Sequence, residues 1–111
     1  MREIPISAIE NIKIGNAEDA AGGTGCTVIL CESGAMAAVD RRGGGATARE
    51  TAILNPLAVA QPVHGVLLSG GSSFGLDAAG GVMQYLEEKD IGLDTGFAKV
   101  PLVCAAGIFD L

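Results

Sequence analysis

The chain has 111 residues, 49% hydrophobic and 18% charged, with a formal net charge of −6 and a pI of about 4.5. That length is one domain or part of one, and with no Trp, one Tyr and three Phe its core must be aliphatic. The acidic balance, with Arg41-Arg42 the one basic pair, excludes a nucleic-acid footprint. No apolar run reaches the ~20 residues of a membrane span, and residues 1–5 lack a signal-peptide core, so a cytoplasmic location is the expectation.

Residues 12–15 read as a short strand, and residues 16–23 as a turn built on Asp19 and Gly22-Gly23. Residues 24–31, TGCTVILC, are β-branched and nearly all apolar, which predicts a strand covered on both faces. Glu32-Ser33-Gly34 then reads as a turn and residues 35–40 as a second strand, giving a β-hairpin over 24–40. Cys26 and Cys31 stand an odd number of positions apart, hence on opposite faces of a strand, and should not pair. Three cysteines, one His and no C-x-x-C predict free buried thiols, with no metal and no cofactor.

Residues 41–50, RRGGGATARE, form a polar, glycine-rich stretch, either a solvated connection or a mobile loop near a site. Residues 51–54 are a short apolar patch closed by Asn55-Pro56. Residues 63–68 predict a third strand, with His64 at its start in a structural role. Leu76, Ala79, Met83 and Leu86 then recur at spacings of three and four, one apolar stripe of a helix. Ser72 or Ser73 can cap its N-terminus, and Asp77 suits the helix dipole. Gly80-Gly81 within it costs about 1 kcal/mol per residue relative to Ala, which predicts another element packed directly on that face. Residues 100–111 read as a last strand, with Pro101 near its start. The order hairpin, loop, strand, helix, strand contains no βαβ repeat and fits an α+β fold.

Gly71-Ser72-Ser73-Phe74-Gly75 spells G-x-S-x-G between a strand and a helix, the setting of a nucleophile elbow. A serine nucleophile needs a base. The only His precedes Ser73 at the far end of the strand, roughly 15 Å away at about 3.3 Å per residue, and no His follows. Ser73 therefore does not read as a nucleophile. What remains is a strand–GGSSFG–helix turn. Its N–H groups can face an anion or a developing oxyanion, or it can serve only as a cap.

TGCTVILC, RRGG…ARET, VHGVLLSGGSSFGLDAAGGVMQYLEE, IGLDTGFAKVPLV and AAGIFDL resemble the N-terminal part of the DmpA-type aminopeptidases, peptidase family S58. That family includes β-peptidyl aminopeptidases and is related to the nylon-oligomer hydrolases. The resemblance runs from about residue 10 to the last residue and is most specific over residues 63–88. It implies one portion, residues 1–111, of a hydrolase domain with an α-β-β-α sandwich of the DmpA/ornithine-acetyltransferase type. It also implies a precursor that cuts itself and exposes a Ser or Thr nucleophile whose own amine is the base. No catalytic residue of that kind falls within this chain. In the family the turn usually reads G-G-S-A-F-G, so Ser73 stands for Ala and the elbow motif is an accident. Gly70, Gly71, Ser72 and Phe74 keep the pattern, and the resemblance implies that they line the substrate pocket. Asn16, Ala52, Gly80 and Cys104 depart from the family's common His, Asp, Asp and Pro.

The function so implied is hydrolysis of peptide or amide bonds next to a free amino end. Its partners would be the remaining C-terminal part of the hydrolase, fused or in trans, a short peptide or amide substrate, and further copies in a homo-oligomer. The alternative is a non-catalytic, self-associating scaffold or binding module that uses an exposed apolar sheet face.

Overall fold

A computed structural model describes residues 1–59 and 62–111. Its centre is a five-stranded mixed sheet in the order β1-β2-β4-β7-β3. Strand β1 (Lys13–Asp19) pairs antiparallel with the long β2 (Thr24–Ala35), and β2 pairs antiparallel with β4 (Val63–Ser69). From β4 the chain passes into a helical run: α1 (Ser72–Gly75), a 3-10 turn (Leu76–Ala78) and α2 (Ala79–Glu88). It returns through a small ribbon, β5 (Leu93–Asp94) with β6 (Lys99–Val100), to β7 (Val103–Gly107). β7 lies parallel to β4, and the two-residue β3 (Ala48–Arg49) closes the far edge. The α+β class expected from the sequence is what the fold shows.

The order of elements differs from expectation in its first half. Residues 24–40 are not a hairpin, because β2 runs straight through Glu32-Ser33-Gly34. The reason is local. Asn11 accepts the Ser33 N–H at 2.8 Å and donates to the Gly34 carbonyl at 3.0 Å, holding that stretch extended. Gly34, at φ +81°, produces an irregularity in the β2–β4 ladder rather than a reversal. The true hairpin is β1–β2, and its turn is confined to residues 20–23, where Asp19 accepts the N–H groups of Ala21 and Gly22. In the second half, β4, the helical run and β7 form a βαβ unit that the sequence reading denied. Only residues 103–107 of the expected last strand belong to the sheet.

The helix packs on one face of the sheet. Leu67, Ala79, Val82, Leu86, Val103 and Ala105 form the main core, with Leu76 and Met83 packed at its border. The predicted stripe is therefore the buried face, widened by Val82. Leu67 and Leu86 are fully buried, each stabilising the fold by roughly 1.5–3 kcal/mol. Arg49 reaches over from β3 and donates to the Leu76 carbonyl at 3.3 Å, with a second contact to the Met83 sulfur at 3.7 Å.

The other face of the sheet carries a smaller cluster, Ile53, Val63, Leu102 and Cys104. Away from that cluster it is bare. Ile14 pairs with Ile29, and Ile29 with Val66; Asn16 pairs with Thr27, and Thr27 with Leu68. Ile14 and Leu68 are both 42% exposed. The expectation that β2 is covered on both faces therefore fails, since none of its residues is fully buried. The described residues make two layers, one sheet and one helix. Among them no helix is long and apolar enough to cross a membrane.

Candidate functional site

The turn between β4 and α1 has a tightly constrained backbone. Gly71 and Ser72 both have positive φ, +85° and +55°. Gly71 adopts that conformation freely, whereas Ser72 bears a strain of roughly 1–2 kcal/mol. Gly70 is buried, and a Cβ there would strike the Asp110 carboxylate and the Thr24 hydroxyl. A Cβ on Gly75 would strike the Gly70 carbonyl. The glycines of GGSSFG are thus fixed by close approach and by a left-handed turn.

Neither serine caps the helix. Gly71 holds the N-cap position, and no side chain there bonds to the first turn. The helix begins at Ser72 itself, one residue earlier than a Ser72 cap requires, and Ser72 enters it at positive φ. The anion cradle expected at this turn is also filled from within. The Gly71 N–H donates to Asp110 Oδ1 at 2.6 Å, and the Ser72 N–H donates to the Ile108 carbonyl at 2.9 Å. Asp110 Oδ2 accepts the Thr24 hydroxyl at 2.7 Å. The Gly71 N–H, then the Thr24 hydroxyl, hold the Asp110 carboxyl below its ordinary 3.8.

Beside the turn runs an open groove of about 490 Å³. Gly70, Gly71 and Phe74 form one wall, with Phe74 82% exposed, and Glu18 and Asp19 of β1 stand opposite. Of the four residues read as pocket-lining, Gly70, Gly71 and Phe74 border this groove; Ser72 lies in the same turn, half-buried, outside the lining. A larger open concavity, about 670 Å³, lies at the same end of the β1–β2 hairpin, between Asn16, Thr27, Leu68 and Ile108. In it Thr27 donates to Asn16 Oδ1 at 2.6 Å.

Ser73 is exposed at the turn. His64 is 6% exposed at the other end of β4, and its Nδ1 accepts the Leu102 N–H at 3.1 Å. Burial lowers its pKa from the ordinary 6.5. It is a buried imidazole in the structural role expected from its place at the strand start. Cys26, Cys31 and Cys104 are free, but only Cys104 is buried; its Sγ donates to the Glu50 carbonyl at 3.5 Å, and burial, then the nearby Glu50 charge, raise its pKa. No group of three His, Cys, Asp or Glu side chains among the described residues could hold a metal ion.

The residues that sequence reasoning missed are Thr24 and Asp110. They lie 86 positions apart, and the bond between them depends on how β2, the turn and the strap after β7 meet. No local signal marks such a pair.

The pattern that defines peptidase family S58 matches residues 5–111. The chain is 48% identical over 87 residues to an uncharacterized aminopeptidase of Mycobacterium leprae (strain TN), covering 78% of this chain and 24% of that protein. It is 38% identical over 99 residues to the 6-aminohexanoate-oligomer endohydrolase of Kocuria sp. (strain KY2), covering 89% of this chain and 25% of that one. The Paenarthrobacter ureafaciens protein of the same name matches at 38% identity over the same shares. The chain spans about a quarter of the length of these curated relatives.

Proposed function

The chain belongs to peptidase family S58, and from that premise we propose that it is the N-terminal part of the α chain of a self-processing amide hydrolase. The enzyme cleaves peptide or amide bonds next to a free amino end. Its nucleophile is a Ser or Thr on sequence outside these 111 residues, exposed by self-cleavage, with its own amine as base. The observation that carries this reading is the family match over residues 5–111 together with relatives more than three times as long. The position of His64 supports it: the one imidazole of the chain is buried and turned to Leu102, so it does not serve Ser73 as a base.

In this reading the rest of the domain supplies the second sheet of an α-β-β-α sandwich and covers the bare part of that face, with Ile14, Ile29 and Leu68. The turn at Gly70, Gly71, Ser72 and Phe74 walls the substrate groove. Amides of linear ω-amino acids, after the relatives named 6-aminohexanoate-oligomer endohydrolases, and aminopeptidase substrates are the two classes to screen first. The hydrolase works in the cytoplasm as a homo-oligomer.

A second reading is favoured by the same bare face: a non-catalytic module that self-associates through it. Native mass spectrometry of the protein as isolated separates the two. A second, larger polypeptide beginning with Ser or Thr is the expected result for the hydrolase. Oligomers of the 11.1 kDa chain alone overturn it in favour of the module.

A further inference from the structure

The residues after β7 are tied down as a strap across the β4–α1 turn. The Gly107 N–H donates to the Thr47 carbonyl at 2.9 Å and the Ile108 N–H to the Ser69 carbonyl at 2.8 Å. The Ser72 N–H returns a bond to the Ile108 carbonyl at 2.9 Å. Asp110 closes the strap, with one carboxylate oxygen on the Gly71 N–H and the other on the Thr24 hydroxyl. Three segments distant in sequence meet on one side chain. Bonds to an ionised carboxylate are roughly twice as strong as neutral ones.

The strained residue explains why such a tie is needed. Ser72 at φ +55° persists only where its surroundings over-determine it. The constraints are the bonds made by the Gly71 and Ser72 N–H groups, one to Asp110 and one to the strap backbone. Both partners of Asp110 are uncharged donors, and none of the ion pairs among the described residues includes it. The titratable groups around the adjoining groove are Glu18 and Asp19 of β1 and Cys26 of β2. None of them is a cation that could substitute for the two donors.

We propose that Asp110 is a positioning residue for the substrate groove: it latches the strap to Gly71 and Thr24 and so holds Gly71 and Ser72 in the left-handed turn that shapes the wall. This rests on the reading of that turn as a pocket wall. The latch is tested by amide hydrogen exchange on the full chain. In Asp110→Ala, exchange at Ser72 and Gly75 rises at least tenfold while Leu67 and Leu86 keep their protection. Asp110→Asn restores the protection, because its carbonyl accepts from Gly71 and its amide donates to the Thr24 oxygen. Thr24→Val, which removes one of the two donors and keeps the volume, gives an intermediate rise. The Gly71 amide proton shift follows an acid titration in the parent chain and loses it in Asp110→Asn, a response that packing alone would not produce. Unchanged exchange in Asp110→Ala and Thr24→Val, equal acceleration at Leu67 and Leu86, or a Gly71 shift indifferent to pH overturns the latch. The wall is tested separately by Phe74→Ala, which leaves the latch intact. An unchanged KM in the assembled hydrolase overturns the pocket reading and leaves the exchange result standing.

Discussion

Two glycine pairs ten residues apart obey different rules. Gly70-Gly71 sits where three segments converge, and each glycine is required by something visible: a carboxylate and a hydroxyl against Gly70, a left-handed φ at Gly71. Gly80-Gly81 sits in the helical run, exposed, and a Cβ on either would meet nothing within 4 Å. The expected neighbour on that face is absent among the described residues. The contrast teaches that the same residue type can record a local necessity at one place and, at another, a cost that nothing in these residues offsets. An apolar groove beside Gly81, lined by Cys26, Val28, Leu30 and Tyr85, runs between the helix and β2.

Substitutions at the two pairs should therefore differ in sign. The largest effect is expected at Gly75→Ala, whose Cβ meets the Gly70 carbonyl, a backbone atom with no room to retreat. The loss should be about 3 kcal/mol or more, read from a urea midpoint. Gly70→Ala displaces side chains instead, those of Asp110 and Thr24, and should cost about 1–3 kcal/mol. A loss at Gly75 no greater than that at Gly70 would break the distinction between backbone and side-chain contacts.

Gly80→Ala and Gly81→Ala should each stabilise the chain, by up to about 1 kcal/mol, since both positions are helical and open. A loss at either would mean that something covers that face after all. Ser73→Ala, on the exposed side of the turn, should stay within about 0.5 kcal/mol and leave any hydrolysis by the assembled enzyme unchanged.

The acid response sharpens the comparison further. The folded pKa of Asp110 is lowered, so the stability it contributes is fully present above 3.8 and is lost as pH falls through the folded value. The buried His64 also has a lowered pKa, so the unfolded chain takes up its proton first. Its share is present above 6.5 and is lost as pH falls toward the folded value. Two separate steps are expected in stability against pH: an upper one that disappears in His64→Gln, and a lower one that disappears in Asp110→Asn. A single step in the parent chain would show that one of the two groups is not linked to folding.

Much of the central unit was legible because its signals are local. The apolar run of β4, the 3-4 spacing of Leu76, Ala79, Met83 and Leu86, and the isolation of His64 at a strand start each follow from a few neighbouring residues. Even the rejection of Ser73 needed only the length of a strand. The failures share a different cause. Glu32-Ser33-Gly34 has turn chemistry, but Asn11, twenty-two positions before Ser33, keeps it extended. The serines of GGSSFG can cap a helix, but Gly71 holds the N-cap position and Ser72 enters the helix at positive φ.

The sequence by itself therefore determined the class of the fold, the core face of its helix, and membership of a hydrolase family, because periodicity and a contiguous motif survive without knowledge of distant contacts. The tertiary structure alone decided that β4 and β7 are parallel neighbours, that one face of the sheet is covered only in part, and that Asp110 occupies the turn. Those facts depend on which segments meet across 39 or 86 positions, and the closure of such long loops is set by the packing of the whole chain rather than by any residue's own preference.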